Sequence, residues 1–410
     1  MKLHVFVHDE PVATLESTDG FRHVMTYHPD VAPDCFVSLL MPVRTESYAY
    51  PELHPLFRMN LLAMGRIKVA APGADPTQAP LPFDVASLLR GDNSEAAFVD
   101  LVRRYAASGV SGVVPKFLSP DPLREHGKGT LATDRYIIKG TTSRLPGVAL
   151  NEHLCMEVSR AAGMPTAATE VSDDGQALVV HRFDIEEDGG RRKGMEDLCS
   201  LLLLRPEQKY ESTWERVVER IRIVVLDTEQ RNDALSRLAD LLLLTYALRN
   251  ADCHTKNIAL LYNSRNDIVL APVYDMLTIT VYDDYAKNPP GLPVNGRSTW
   301  MPGRSLERFL QTRCGLLPAQ TLERVERICD AIVQVTPQVV SAVERYPAFR
   351  EIGKRMLHAW NDGMNSLRLQ KTWSLPSLDV AIRKARFSEP KPMAPTLNEK
   401  LGRSPLLGRR

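Results

Sequence analysis

"RNADCHTKNIALL" (249–261) places an aspartate, a histidine, a lysine and an asparagine within six positions, Asp252 to Asn257. A further aspartate, Asp275 in "APVYDM", follows eighteen residues after the asparagine. Three readings compete for this stretch: a metal site, a solvated loop, or an acid–amide pair built to handle phosphate. The runs between the two halves help to separate them. "IALLY" and "DIVLAP" flank the turn residues "NSRND", the pattern of a β-hairpin. The hairpin would carry Asp275 back beside Asn257.

A zinc reading is weak, because His254 and Cys253 are adjacent and no H-x-x-x-H or C-x-x-C stands nearby. A D-x-x-x-x-N on its own also occurs in ordinary turns. Together with the hairpin and Asp275 it matches what phosphoryl transfer from ATP demands. That chemistry needs a group to orient the attacking hydroxyl, hard oxygen ligands for Mg2+, and cations on the phosphates. Asp252 has the spacing of the first, and Asn257 and Asp275 of the second.

The preceding residues extend the pattern. Lys139 ends a β-run, "YIIK", and Glu152 lies thirteen residues on, in a stretch where Leu150, Leu154, Val158 and Ala161 recur at helical spacing. A strand lysine paired with a helix glutamate is how protein kinases hold the α- and β-phosphates. A surface lysine and a solvated glutamate would look the same in sequence. "SGVSGVVPK" (108–116) is rich in glycine, so its backbone could approach phosphate. It lacks a Walker signature and is equally an ordinary strand-to-turn segment. "VVHRFD" (179–184) reads either as a kinase hinge or as a core strand ending in a solvated Arg182–Asp184 pair.

The rest of the chain frames this centre. Its 410 residues are 44% hydrophobic, enough for two or three domains and a sizeable core. Lys plus Arg number 51 against 50 for Asp plus Glu. Bulk charge therefore gives no ground for strong autonomous nucleic-acid binding. Six scattered cysteines argue against a disulfide scaffold, and the leucine runs at 201–204 and 241–244 are far below the roughly 20 residues of a membrane span. The expectation is a reduced, cytoplasmic protein with no membrane contact.

"KLHVFVH", "HVMTY" and "CFVSLLM" read as strands, and 71–83 as a linker. Helical periodicity dominates after residue 212, with patterns over about 318–345, 348–369 and 376–386. The predicted fold is α+β: a bilobal, protein-kinase-like arrangement with a β-rich N-terminal lobe and an all-helical C-terminal lobe. Its predicted parts are a β-rich subdomain (1–90), a small lobe (91–211), a helical lobe (212–386) and a flexible basic tail (387–410).

Taken in order, "ASGVSGVVPKFL", "YIIKG", "NEHLCMEVSRAAGMP", "VVHRFD", "MEDLCSLLLLRPEQKYE", "NADCHTKNIALL" and "APVYDM" resemble the blocks of HipA-like toxin kinases, over about residues 1–380. The resemblance implies a serine/threonine protein kinase of a bacterial toxin–antitoxin pair that phosphorylates an aminoacyl-tRNA synthetase and arrests translation. It implies a HipB-like helix-turn-helix antitoxin, through which operator DNA would chiefly be reached. It makes Asp252 the catalytic aspartate, Asn257 and Asp275 the magnesium ligands, and Lys139 a phosphate ligand. Lys256 would neutralise the transferring phosphoryl group, and His181 to Phe183 would form the hinge.

Some relatives inactivate themselves by phosphorylating a serine in the glycine-rich loop. Here Gly109 stands where that serine is common, so Ser111, just before Gly112, is the expected site and Ser108 the second. Two other functions are compatible with the same residues. D-x-H-x-x-N also resembles the phosphoinositide-kinase loop, which would make a lipid or small-molecule kinase. A kinase-like binding module without activity is the other.

Overall fold

The computed structural model describes residues 2–18, 22–59, 65–74, 83–107, 129–186, 191–369 and 373–387. An antiparallel sheet opens the chain, with strands in the order Tyr48–Tyr50, Arg22–Tyr27, Glu10–Thr18, Lys2–Val7 and Ile67–Ala70. The "KLHVFV" alternation works as a half-buried strand should: Leu3, Val5 and Val7 face a core shared with Leu15, Met25 and Phe57.

The run "CFVSLLM" departs from its expected strand. It makes only an isolated Ser38–Met41 bridge after a short turn at Pro33–Cys35. Its residues are apolar because they form the junction with the rest of the molecule. Glu196, buried in the body, accepts from Ser38 Oγ (2.7 Å), the Leu39 amide (2.6 Å) and Tyr262 Oη (2.7 Å). Arg66 donates to Asn263 O (2.6 Å) and Phe36 O (3.0 Å), and its guanidinium lies over the stacked rings of Phe36 and Tyr262.

A second sheet follows, in the order Gly129–Ala132, Tyr136–Gly140, Ala177–His181 and Thr169–Val171. The Glu95–Ala107 helix covers one face through Phe98, whose ring packs against Gly129 and Gly140. The Val148–Ala161 helix covers the other. At the end of this sheet the Arg182–Asp184 pair, solvated in one of the two readings of that stretch, is buried. Nε and Nη2 of Arg182 donate to the two carboxylate oxygens at 3.0 and 2.6 Å, and the Gly65 amide donates to one of them at 2.6 Å. Burial would raise the Asp184 carboxyl, but these donors hold it below its usual range.

The remaining lobe is built from helices Trp214–Val224, Thr228–Ala247, Pro318–Arg345, Arg350–Ser366 and Asp379–Phe387. Asp227 caps the second of these, accepting from the Gln230 amide at 2.9 Å, and its last fourteen residues are almost wholly buried. One small sheet, Gly194–Asp197 with the expected hairpin Ala259–Tyr262 and Val269–Leu270, sits on these helices. Among the described residues no helix is long and apolar enough to cross a membrane.

Candidate active site

The end of the Thr228–Ala247 helix delivers the loop. Arg249 takes a left-handed turn (φ 54°), and the Asn250 side chain then accepts from the Asp252 amide at 3.0 Å. Asn257 Oδ1 accepts from the His254 amide at 2.9 Å, closing a short turn over Thr255–Asn257. Thr255 donates through both its amide (3.2 Å) and Oγ1 (2.8 Å) to Lys209 O, tying the loop to residues 206–211. Gly291 packs so tightly beneath it that a Cβ there would lie 2.4 Å from Cys253 O.

The hairpin returns the chain to Asp275, which also has a left-handed backbone (φ 55°), a conformation Asp tolerates better than most residues. Its two carboxylate oxygens are divided. Oδ1 accepts from Lys139 Nζ (2.7 Å) and Oδ2 from Asn257 Nδ2 (2.6 Å). Lys139 Nζ also donates to Glu152 Oε1 at 2.6 Å. The Glu152 side chain is 2% exposed and that of Lys139 is 15%. Burial alone would lower the Lys139 pKa; the Asp275 and Glu152 carboxylates outweigh it and raise it.

Among the described residues no group of three or more His, Cys, Asp or Glu side chains could hold a metal. His254 stays neutral, because burial drives its pKa down to about 3. The Cys253 thiol is pushed up to about 12 by burial and is unsuited to ligation.

Lys256 is half-buried, with its carbonyl accepting from Tyr274 Oη at 2.7 Å. Phe183 lies over the same Tyr274 ring, centroids 5.2 Å apart. His181 points its ring to Glu170 (Nε2–Oε1, 2.7 Å) on the outside of the sheet. Thus Asp252, Lys256, Asn257, Asp275, Lys139, Glu152 and Phe183 converge, while the His181 side chain does not. Ser108, Ser111 and Gly112 lie outside the described residues.

Four residues at the site escaped the sequence reading. Tyr210 Oη donates to Asp252 Oδ1, and its ring stands edge-on to His254 at 4.9 Å. Asn250 and Tyr274 fix the loop as described. Asp197, buried below Lys256, accepts from the Ser200 amide at 2.7 Å; burial lifts its pKa to about 7 despite that bond and the Lys256 charge. Asn250 lies inside the quoted motif and Tyr210 in the quoted "RPEQKYE", but neither has a spacing that announces its partner.

A model of the HipA-like C-terminal domain matches residues 108–338, and one of the HipA N-terminal domain matches 3–65. This chain belongs to the HipA-like family. A candidate kinase of Sinorhizobium fredii, Y4mE, is 31% identical over 225 residues, 52% of each chain. The match therefore spans about half the length of that relative. A second candidate kinase of the same organism, Y4dM, is 24% identical over 323 residues, covering 68% of this chain and 78% of that one. Among solved structures, HipA of Shewanella oneidensis, determined with HipB and its operator DNA, superposes with a TM-score of 0.61 at 16% identity. The match covers 90% of this chain and all of the other, and shows a shared HipA fold.

Proposed function

We propose that this HipA-like protein is a serine/threonine protein kinase that transfers the γ-phosphoryl group of ATP. The observation that carries the reading is the two-sided hold on Lys139, with Glu152 on the helix and Asp275 after the hairpin. Protein kinases need the strand lysine paired with the helix glutamate, and the aspartate after the hairpin placed to hold Mg2+, before they can transfer phosphate. Asp252 would orient the acceptor hydroxyl and take its proton, and Lys139 and Lys256 would bind the phosphates. Asn257 and Asp275 fit magnesium by their chemistry: both carry a hard oxygen and they touch, Asn257 Nδ2 donating to Asp275 Oδ2 while Asn257 Oδ1 accepts from the His254 amide. Mg2+ characteristically takes one or two protein ligands and leaves the rest to phosphate and water. When bound, the ion would neutralise the phosphate charge.

In the hinge, the amides of His181 and Arg182 already bond to Ala168 O (2.8 Å) and Arg135 O (3.0 Å). Phe183, over Tyr274, is thus the position in that stretch left to border the adenine. We extend the proposal to a toxin held by a HipB-like helix-turn-helix partner and aimed at an aminoacyl-tRNA synthetase. It rests on the family and on the fold shared with a HipA determined beside HipB. The division at about residues 90 and 211 belongs to the same proposal.

The test is incubation of the purified protein with radiolabelled ATP, Mg2+ and bacterial lysate, beside Asp252→Ala. A labelled band of synthetase size, lost by roughly 100-fold or more in the variant, is the expected result. Labelling undiminished in a folded Asp252→Ala protein would overturn the assignment.

A further inference from the structure

Tyr210 stands where the proposed chemistry needs something else. Its hydroxyl donates to Asp252 Oδ1, the kind of contact that an acceptor hydroxyl makes before transfer. The bond is not forced by a buried ring, since Tyr210 is 40% exposed. It is aimed by two features. Lys209 O, one residue earlier, is fixed by both donors of Thr255, and the ring is steered by an edge-to-face contact with His254 and by the Lys209 ammonium, 5.2 Å from its centroid. A loop fixed at its backbone, with an exposed side chain on the base, suits a group that can be exchanged.

We propose that Tyr210 is a specificity-determining residue that keeps water off Asp252 until a protein hydroxyl displaces the phenol. This rests on the kinase reading given above. Without such a group, water bonded to Asp252 could attack the γ-phosphorus. The water oxygen–phosphorus bond would form, the bond from phosphorus to the β–γ bridging oxygen would break, ADP would leave, and the proton would pass to Asp252. The enzyme would then be an ATPase. A phenol fills the place that a water would take, and yields it to a serine or threonine brought in with the binding energy of a whole protein surface.

The experiment compares parent, Tyr210→Phe, and Tyr210→Phe/Asp252→Asn in steady-state ADP release from Mg-ATP, with no protein acceptor present. Phe keeps the ring contacts, and unfolding midpoints check that the fold is kept. The expected result is a rise of roughly tenfold in Tyr210→Phe, about the factor that one charge-assisted hydrogen bond imposes on a competitor for the same oxygen. The double variant should fall back to background. A purely structural tyrosine would lower the midpoint without raising ADP release.

Release at or below the parent rate in Tyr210→Phe, while the parent still labels lysate proteins, would overturn this inference and leave the kinase reading standing. Phosphate recovered on Tyr210 itself would also overturn it, because the phenol would then be an acceptor. No transfer by any of the proteins, to lysate or to water, would overturn both.

Discussion

Lys139 joins two carboxylates that reach it from different parts of the chain, so its removal should be felt in folding as well as in nucleotide binding. Lys139→Met leaves Glu152 buried without its counter-charge. Breaking one side of such a pair costs on the order of 3 kcal/mol, readable by urea unfolding. Pairing it with Glu152→Gln should recover part of that loss but none of the ATP binding. Asp197 gives a pH signature of the opposite kind. Its folded pKa, about 7, lies above that of an ordinary aspartate, so the native state holds a proton that the unfolded chain has released. Its stabilising contribution is full below about pH 4 and is lost as pH rises to about 7. Asp197→Asn keeps an acceptor for the Ser200 amide and abolishes that decline. Urea midpoints of parent and variant at pH 4.5, 6 and 7.5 should therefore diverge with rising pH, the variant being the more stable at the top.

Helices and strands with strong periodicity were legible, and the site was legible where its residues sit at fixed spacing. Asp252, Asn257 and Asp275 stood out because a tight loop and a hairpin bring them together over short sequence distance. Tyr210 and Asp197 did not, since each meets the loop across more than forty residues and no period encodes that. "CFVSLLM" misled because an apolar run at a junction looks like a strand, and the burial of Arg182–Asp184 stayed undecided because charge is equally compatible with solvent. Close helix packing was equally hidden. Gly363, in the Arg350–Ser366 helix, faces the end of the Thr228–Ala247 helix, and a Cβ there would stand 1.9 Å from Ala247 O. Gly363→Ala must push away the helix that launches the Asp252 loop. Overpacking of this kind costs about 1–3 kcal/mol, so calorimetry should show a lower melting point, and ATP turnover should fall with it.

The N-terminal sheet is fastened to the rest by buried polar groups: Glu196 with Ser38 and Leu39, Asp184 with Gly65, and Arg66 with Asn263. A seam of that kind makes the two parts melt together. The parent should show one calorimetric transition. Glu196→Ala, which strands the Leu39 amide and the Tyr262 hydroxyl in a dry setting, should move part of the heat to lower temperature as a separate peak. A single unshifted peak in that variant would show the seam to be energetically idle.

The helix carrying Glu152 is fixed just as firmly, one residue from Glu152 itself. Asn151 exchanges two hydrogen bonds with Thr278, at 2.8 and 3.1 Å, and Trp360 donates to the Thr278 hydroxyl at 2.8 Å. Many protein kinases are silenced by swinging this helix outward, which parts the lysine from the glutamate. Here the hinge of that lever is bolted to the floor beneath it. On the kinase reading proposed above, the helix contact that such enzymes make and break is built into the fold itself. Regulation of a kinase so built would act at the cleft and not through this helix.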